Sequence, residues 1–189
     1  MDGGETPKRW NRRGDRTVAD CAVFKVIGRT FEHPDGRKSE FFINESPDWV
    51  QCAALARDGA GRLCAVMVEQ FRFGAERMSL EFPGGVMDAG EDPVAAAVRE
   101  LREETGYSGE NARLVASYSP NPAIQNNLAH FVIVENCRKT SGTHFDENEE
   151  ISSILVPVDS LDGLVKSGRI FHAIAIASVY FLRRELSEC

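Results

Sequence analysis

The chain has 189 residues, of which 42% are hydrophobic, and a formal net charge of −7 at pH 7. One domain of this size can bury a core without disulfides or a structural metal. An acidic chain lacks the clustered Lys and Arg that displace counterions from a polyanion, so nucleic acid is excluded as the main ligand, while a small anionic substrate stays compatible where metal ions screen it.

The five cysteines, Cys21, Cys52, Cys64, Cys137 and Cys189, are scattered without close pairing, which argues against a zinc site or redox motif. Neither a signal-like N-terminus nor an apolar run of about 20 residues is present. The expectation is a cytoplasmic protein with reduced thiols and no membrane contact.

Residues 1–15 are polar, with Trp10 their one aromatic residue, and are expected to pack loosely. Val18–Thr30 and Lys38–Asn44 are rich in β-branched and aromatic residues around His33-Pro34-Asp35-Gly36, which has turn chemistry. The domain plan is therefore a flexible segment 1–15 followed by one domain, 16–189, that begins with a β-hairpin over 16–46.

A second hairpin is predicted from Val50–Ala56 and Arg62–Gln70 about Asp58-Gly59-Ala60-Gly61, then a short strand Ser79–Phe82. Pro93–Thr105 is the clearest helix: Asp92 suits the N-cap, Pro93 the first turn, Ala95-Ala96-Ala97 the interior and Gly106 the position past the end. Strands at Leu114–Tyr118, Leu128–Glu135 and Ile151–Val156 and helices at Asp159–Lys166 and His172–Glu185 complete the chain. Strands, helix, strands, helices fit an α/β sandwich with a mixed sheet better than regular βαβ alternation.

The chemistry concentrates in Gly85-Val86-Met87-Asp88-Ala89-Gly90-Glu91 and Arg99-Glu100-Leu101-Arg102-Glu103-Glu104-Thr105-Gly106-Tyr107. Helical spacing brings Glu100, Glu103 and Glu104 together near a C-terminal end whose dipole already disfavours anions. Arg99 and Arg102 neutralise part of that charge, and a hard divalent cation with oxygen ligands would do so more completely. The alternative for the helix alone is a solvated acidic face.

Gly85, five residues, Glu91, seven residues, then Arg99-Glu100-Leu101-x-Glu103-Glu104-x-Gly106 and a bulky residue resembles the signature of the Nudix hydrolases at every specified position. At about 5–7% usage per residue type, seven fixed identities coincide by chance roughly once in 10⁸ to 10⁹ trials. The resemblance implies an α/β/α sandwich and hydrolysis of nucleoside diphosphates linked to a further group, with Mg²⁺ or Mn²⁺ as cofactor. Carried over by position, Glu100, Glu103 and Glu104 bind metal and Gly84 offers a carbonyl to it. Glu91 fixes the loop, and Arg99 orients the carboxylates.

Glu69-Gln70-Phe71-Arg72-Phe73-Gly74 and Leu80-Glu81-Phe82-Pro83-Gly84-Gly85 further resemble the ADP-ribose pyrophosphatase and nucleoside-diphosphate-sugar hydrolase group, in which an arginine at the position of Arg72 meets substrate. Ser119-Pro120-Asn121-Pro122-Ala123 departs from the Ser-Pro-Gly of ADP-ribose pyrophosphatases toward less selective sugar-nucleotide hydrolases, which makes Asn121 a substrate-binding candidate. In Asp146-Glu147-Asn148-Glu149-Glu150 the resemblance makes Glu147 the general base and Glu149 a further metal ligand, against the plain reading of a solvated acidic loop. Trp49, at a strand start, is placed either to stack on a nucleobase or to fill the core. Gly168–Ala173 introduces the last helix, with His172 read as a capping or packing residue.

The expected reaction is metal-dependent cleavage of a nucleoside diphosphate sugar, ADP-ribose or a relative, by a homodimer whose N-terminal hairpin crosses to its partner. The competing readings are a triphosphate-cleaning pyrophosphatase and a module that binds ADP-ribose without cutting it.

Overall fold

The computed structural model of the chain describes residues 6–144 and 150–188. These form two compact units, one of residues 6–46 and 121–127, the other of 47–120, 128–144 and 150–188.

The first unit is a three-stranded antiparallel sheet of β1 (Asn11–Asp20), β2 (Lys25–Glu32) and β3 (Lys38–Glu45), in that order. The hairpin expected here thus has a further strand, and β1 begins inside the segment expected to pack loosely. Val18–Thr30 is not one strand, because the chain reverses after Asp20: Cys21 donates its N–H to the Phe24 carbonyl at 2.9 Å and Ala22 takes φ +64°.

β1 is exposed along its whole length, so no apolar alternation announces it. Its backbone ladder to β2 is reinforced by ion pairs, Arg13 to Glu32 at 2.9 Å and Arg29 to Asp15 at 3.0 Å. Arg16 reaches Glu40 at 2.7 Å through both of its hydrogen bonds. That contact passes over Gly28 of β2, where an added Cβ would lie 2.7 Å from Glu40 Oε1 and 3.2 Å from Arg16 Nε. Trp10 packs its ring against Phe41 and His33.

The second unit is built on a six-stranded mixed sheet of β4 (Trp49–Arg57), β5 (Leu63–Arg72), β6 (Arg77–Glu81), β7 (Tyr107–Tyr118), β8 (Ala129–Lys139) and β9 (Ser152–Pro157). β4 and β8 run parallel, and the other pairs are antiparallel. β5 carries β9 on one edge and β4 then β6 on the other, since Cys64–Val66 pair with both β4 and β9 while Val68 and Glu69 pair with both β6 and β9. β4 therefore pairs with β5 only from Ala54 onward. The loop after β6 occupies the vacated edge: Cys52 and Val50 donate to the carbonyls of Pro83 and Gly85 at 2.8 and 2.9 Å.

Alternation along the central strands divides the core in two. Ala53, Leu55, Met67, Phe131 and Ile133 meet α2 (Leu161–Lys166) and α3 (Ala173–Ser187) through Leu161, Val179 and Leu182. Cys52, Ala54, Val66, Val132 and Val134 meet α1 (Pro93–Thr105) through Ala96, Ala97 and Leu101. This is the expected α/β/α sandwich. Leu101 is fully buried, and its truncation to alanine would cost about 2–5 kcal/mol.

β7 is longer than the predicted Leu114–Tyr118. It starts at Tyr107 and reaches the apolar part through three register shifts, with Asn111 at φ +52°. As an edge strand with bulges it accommodates Ser108-Gly109-Glu110-Asn111, which reads as a turn. Cys52, Cys64 and Cys137 are buried and Cys21 is exposed, all as free thiols. Burial pushes the Cys137 thiol up to about 12. No helix among the described residues is long and apolar enough to cross a membrane.

Candidate active site

The site is assembled on α1 and the loops at its two ends. Asp92 caps the helix, accepting the N–H groups of Val94 and Ala95 at 2.9 and 3.1 Å, and Pro93 fills the first turn, where no amide donor is needed. Gly106 closes it in the left-handed region at φ +71°, donating to the Arg102 carbonyl. With both ends fixed, Glu100, Glu103 and Glu104 project from the last turns.

Arg99 ties the helix to the loop before it. Its Nε and Nη2 each bond Glu91 at 3.0 Å, and its Nη1 bonds Glu100 at 2.8 Å and Glu103 at 3.2 Å. These carboxylates hold the guanidinium pKa above its ordinary value, hydrogen bonding to Glu91 first among them. Glu91 also accepts the Asp88 N–H at 3.0 Å, closing the loop on itself. Bonding to Arg99, then to the Asp88 amide, outweighs slight desolvation and lowers the Glu91 pKa. Glu91 thus bonds both the loop and the helix, and Arg99 contacts three carboxylates.

Glu104 is turned the other way. It is buried, and its Oε2 accepts the Gly84 N–H at 2.9 Å. Gly84 sits against β4 so closely, at φ +156°, that an added Cβ would fall 2.0 Å from the Val50 carbonyl oxygen. At Gly85 a Cβ would meet the Glu100 carboxylate at 2.7 Å. Both positions admit no side chain beyond hydrogen without displacement.

A cavity of about 560 Å³ brings Arg72, Gly84, Glu100, Glu103 and Glu104 together. Gln70, Asp88 and His144 also line it and were not anticipated. His144 follows a loop, and its backbone N–H donates to the Glu103 carbonyl at 2.9 Å, a tie that no local pattern announces. Trp49 and Asn121 do not line this cavity. Trp49 is half-buried at the start of β4, its backbone paired with Ala129 and Val86. Asn121 is exposed and belongs to the other unit. Glu147 and Glu149 lie outside the described residues.

Among the described residues no three carboxylate, imidazole or thiolate groups converge on one point suited to a metal. The geometry gives the reason: Glu100 and Glu103 are turned to Arg99 and Glu104 to the Gly84 amide. The donor set nonetheless fits a hard divalent cation. It is all oxygen, and Glu100, Glu103 and Glu104 outnumber Arg99 toward the negative, C-terminal end of α1, a balance that a cation relieves.

Arg72 leans on a residue that sequence reading passed over. Its Nε and Nη2 bond Glu81 at 2.7 and 2.8 Å, and Glu81 is completely buried. The signal was there in Leu80-Glu81-Phe82, a carboxylate inside an apolar strand, which is rarely left without a partner.

The NUDIX domain family matches residues 49–178, and the chain belongs to it. It is 28% identical over 175 residues to the ADP-ribose pyrophosphatase of Bacillus subtilis (strain 168), a match covering 89% of this chain and 92% of that one. It is 30% identical over 162 residues to the methanol dehydrogenase activator of Bacillus methanolicus, covering 85% of each. A crystal structure of an ADP compounds hydrolase superposes with a TM-score of 0.82 over 98% of both chains at 19% identity, which establishes the shared fold.

Proposed function

We propose that this chain hydrolyses the diphosphate bond of nucleoside diphosphate sugars, with ADP-ribose or a close relative as substrate. ADP-ribose would yield AMP and ribose 5-phosphate. The observation that carries the reading is the meeting of Glu100, Glu103 and Glu104 with Arg72 on one cavity. The likeness to the Bacillus subtilis ADP-ribose pyrophosphatase over nearly the whole of both chains supports the choice of substrate class.

In this reading Glu100, Glu103, Glu104, Glu149 and the Gly84 carbonyl hold Mg²⁺ or Mn²⁺. Bound there, a divalent metal would supply polarisation of the diphosphate and would offset charge on the leaving phosphate. Arg99 keeps Glu100 and Glu103 gathered, Arg72 binds the substrate, and Glu147 takes the proton of the attacking water. Trp49, outside that cavity, is assigned to stacking on the base. The protein acts in the cytoplasm as a homodimer, without nucleic acid as a partner.

A panel of ADP-ribose, other sugar nucleotides, dinucleoside polyphosphates and nucleoside triphosphates, assayed with Mg²⁺ and with chelator, tests the reading. Highest kcat/KM on sugar-linked diphosphates, lost in chelator, is expected. A triphosphate as the best substrate would overturn the substrate class, and tight ADP-ribose binding without product would make the chain a binding module. Light scattering at micromolar concentration tests the dimer, which a fully active monomer would refute.

A further inference from the structure

Glu81 ends β6 between Leu80 and Phe82 with its side chain wholly enclosed. It is not opposite Arg72 in the ladder: Glu81 pairs across to Val68, and Arg72 to Arg77. Arg72 instead folds back along the hairpin to grip the carboxylate at two points, Nε to Oε1 at 2.7 Å and Nη2 to Oε2 at 2.8 Å. From the other side His172, the residue capping the start of α3, brings Nδ1 to 3.3 Å from Oε2 without hydrogen-bond alignment. Three elements, β5, β6 and α3, therefore fix one carboxylate.

A buried ion pair is a poor means of stabilising a fold, since apolar residues of similar volume commonly serve as well or better. What the pair does achieve is geometric. A two-point grip sets the plane of a guanidinium, and the Arg72 side chain so held is 38% exposed and lines the carboxylate cavity.

We infer that Glu81 is a positioning residue, holding the Arg72 guanidinium at the cavity wall in the orientation that receives a phosphate oxygen of the substrate. This rests on the reading of Arg72 as a substrate contact. Burial raises the Glu81 pKa, but bonding to Arg72, its charge and that of His172 outweigh it and hold the carboxyl below its usual range. Burial lowers the His172 pKa, with Glu81 opposing, and Arg72 rather than His172 contributes most of the charge that Glu81 answers.

The test is a kinetic cycle on the full chain with a nucleotide-sugar substrate, using Glu81→Gln, Arg72→Lys and the double variant. Lysine keeps the charge but offers no fork to the carboxylate. Each single variant is expected to raise KM about tenfold with a much smaller change in kcat, leaving Mg²⁺ activation as in the wild type. In the Arg72→Lys background, Glu81→Gln should add less than about twofold, because the two act as one unit. A lowered melting temperature with unchanged KM, or strictly multiplicative effects, would overturn the inference.

If Glu81→Gln does not fold, Glu81→Asp keeps the charge and retracts it by one methylene. A several-fold rise in KM is then expected, and an unchanged KM overturns the inference. An unchanged KM in Arg72→Lys alone would instead strike the reading of Arg72 as a substrate contact, and a wild type inactive on sugar nucleotides would strike the proposed function.

Discussion

Glu104 Oε2 accepts the backbone N–H of Gly84 at 2.9 Å, joining the last turn of α1 to the loop that leaves β6. Glu103, one position earlier, has a half-exposed side chain and a bond to Arg99 at 3.2 Å. The two carboxylates thus share a proposed task and differ in surroundings. Glu103→Gln and Glu104→Gln are each expected to lower kcat about a thousandfold at saturating Mg²⁺, about 4 kcal/mol of lost charge stabilisation. On truncation to alanine position 104 should also lose stability, by about 1 kcal/mol, because the half-buried Gly84 amide loses its partner. Near-normal turnover in both glutamine variants would remove the metal assignment, and thermal melts check the second half.

Gly84 and Gly85 separate stability from activity. Gly84→Ala places Cβ against the Val50 carbonyl, rigid backbone of the central sheet, and is expected to lower the melting temperature sharply or prevent folding. Gly85→Ala meets only the end of the Glu100 side chain, which can rotate. Its fold should survive while the Mg²⁺ concentration for half-activation rises. Melting curves and metal titrations on both variants decide the matter, and equal stability of the two would contradict it.

The pH dependence of stability should carry the mark of Glu91. Its folded pKa is lowered, chiefly by Arg99, so the stabilisation it gives is present above its unfolded pKa and lost as pH falls through the folded value. Glu91→Gln is therefore expected to melt below the wild type at pH 7, with the gap closing under acid as the carboxylate protonates. A gap that stayed constant into the acid range would show that its loop bonding, not its charge, supplies the stabilisation.

The proposal for the acidic loop is tested by Glu147→Gln, Glu149→Gln and Glu150→Gln side by side. If Glu147 is the base, its variant should lose about 10²–10⁴-fold in kcat with substrate affinity nearly intact. Glu149→Gln should weaken Mg²⁺ activation as well, and Glu150→Gln should do little. The largest loss falling at Glu150 would mean that the loop residues are assigned one register out of place.

Where sequence and structure agree, local chemistry decides the conformation. Pro93–Thr105 is helical over the predicted span because Asp92, Pro93 and Gly106 fix its ends without help from elsewhere. The cluster on its last turns follows from spacing alone. β1 and the first half of β7 were not legible because edge strands need no apolar stripe: β1 is held by its ladder and by charges that come from β2 and β3. Glu81 was visible as an oddity, but its meaning depends on Arg72 nine residues away, reached back along a hairpin. The ties of Gly84 to β4 and of His144 to Glu103 are likewise long-range backbone contacts that leave no trace in side-chain type.

The contact over Gly28 has a consequence for how the N-terminal sheet finds its alignment. A slip of one residue between strands turns every side chain to the wrong face and is disfavoured wherever the faces differ; a slip of two preserves the faces and is the harder error to prevent. The ion pairs of β1 with β2 resist such a slip, and the contact between the outer strands adds a second check. Arg16 and Glu40 stand on outer strands that are not hydrogen-bonded to each other, and they meet only because the middle strand has no side chain between them. Moving β1 by two residues would bring Gly14 or Val18 to that place, and neither can answer Glu40. The missing side chain therefore works as a keyhole, through which one outer strand checks the position of the other.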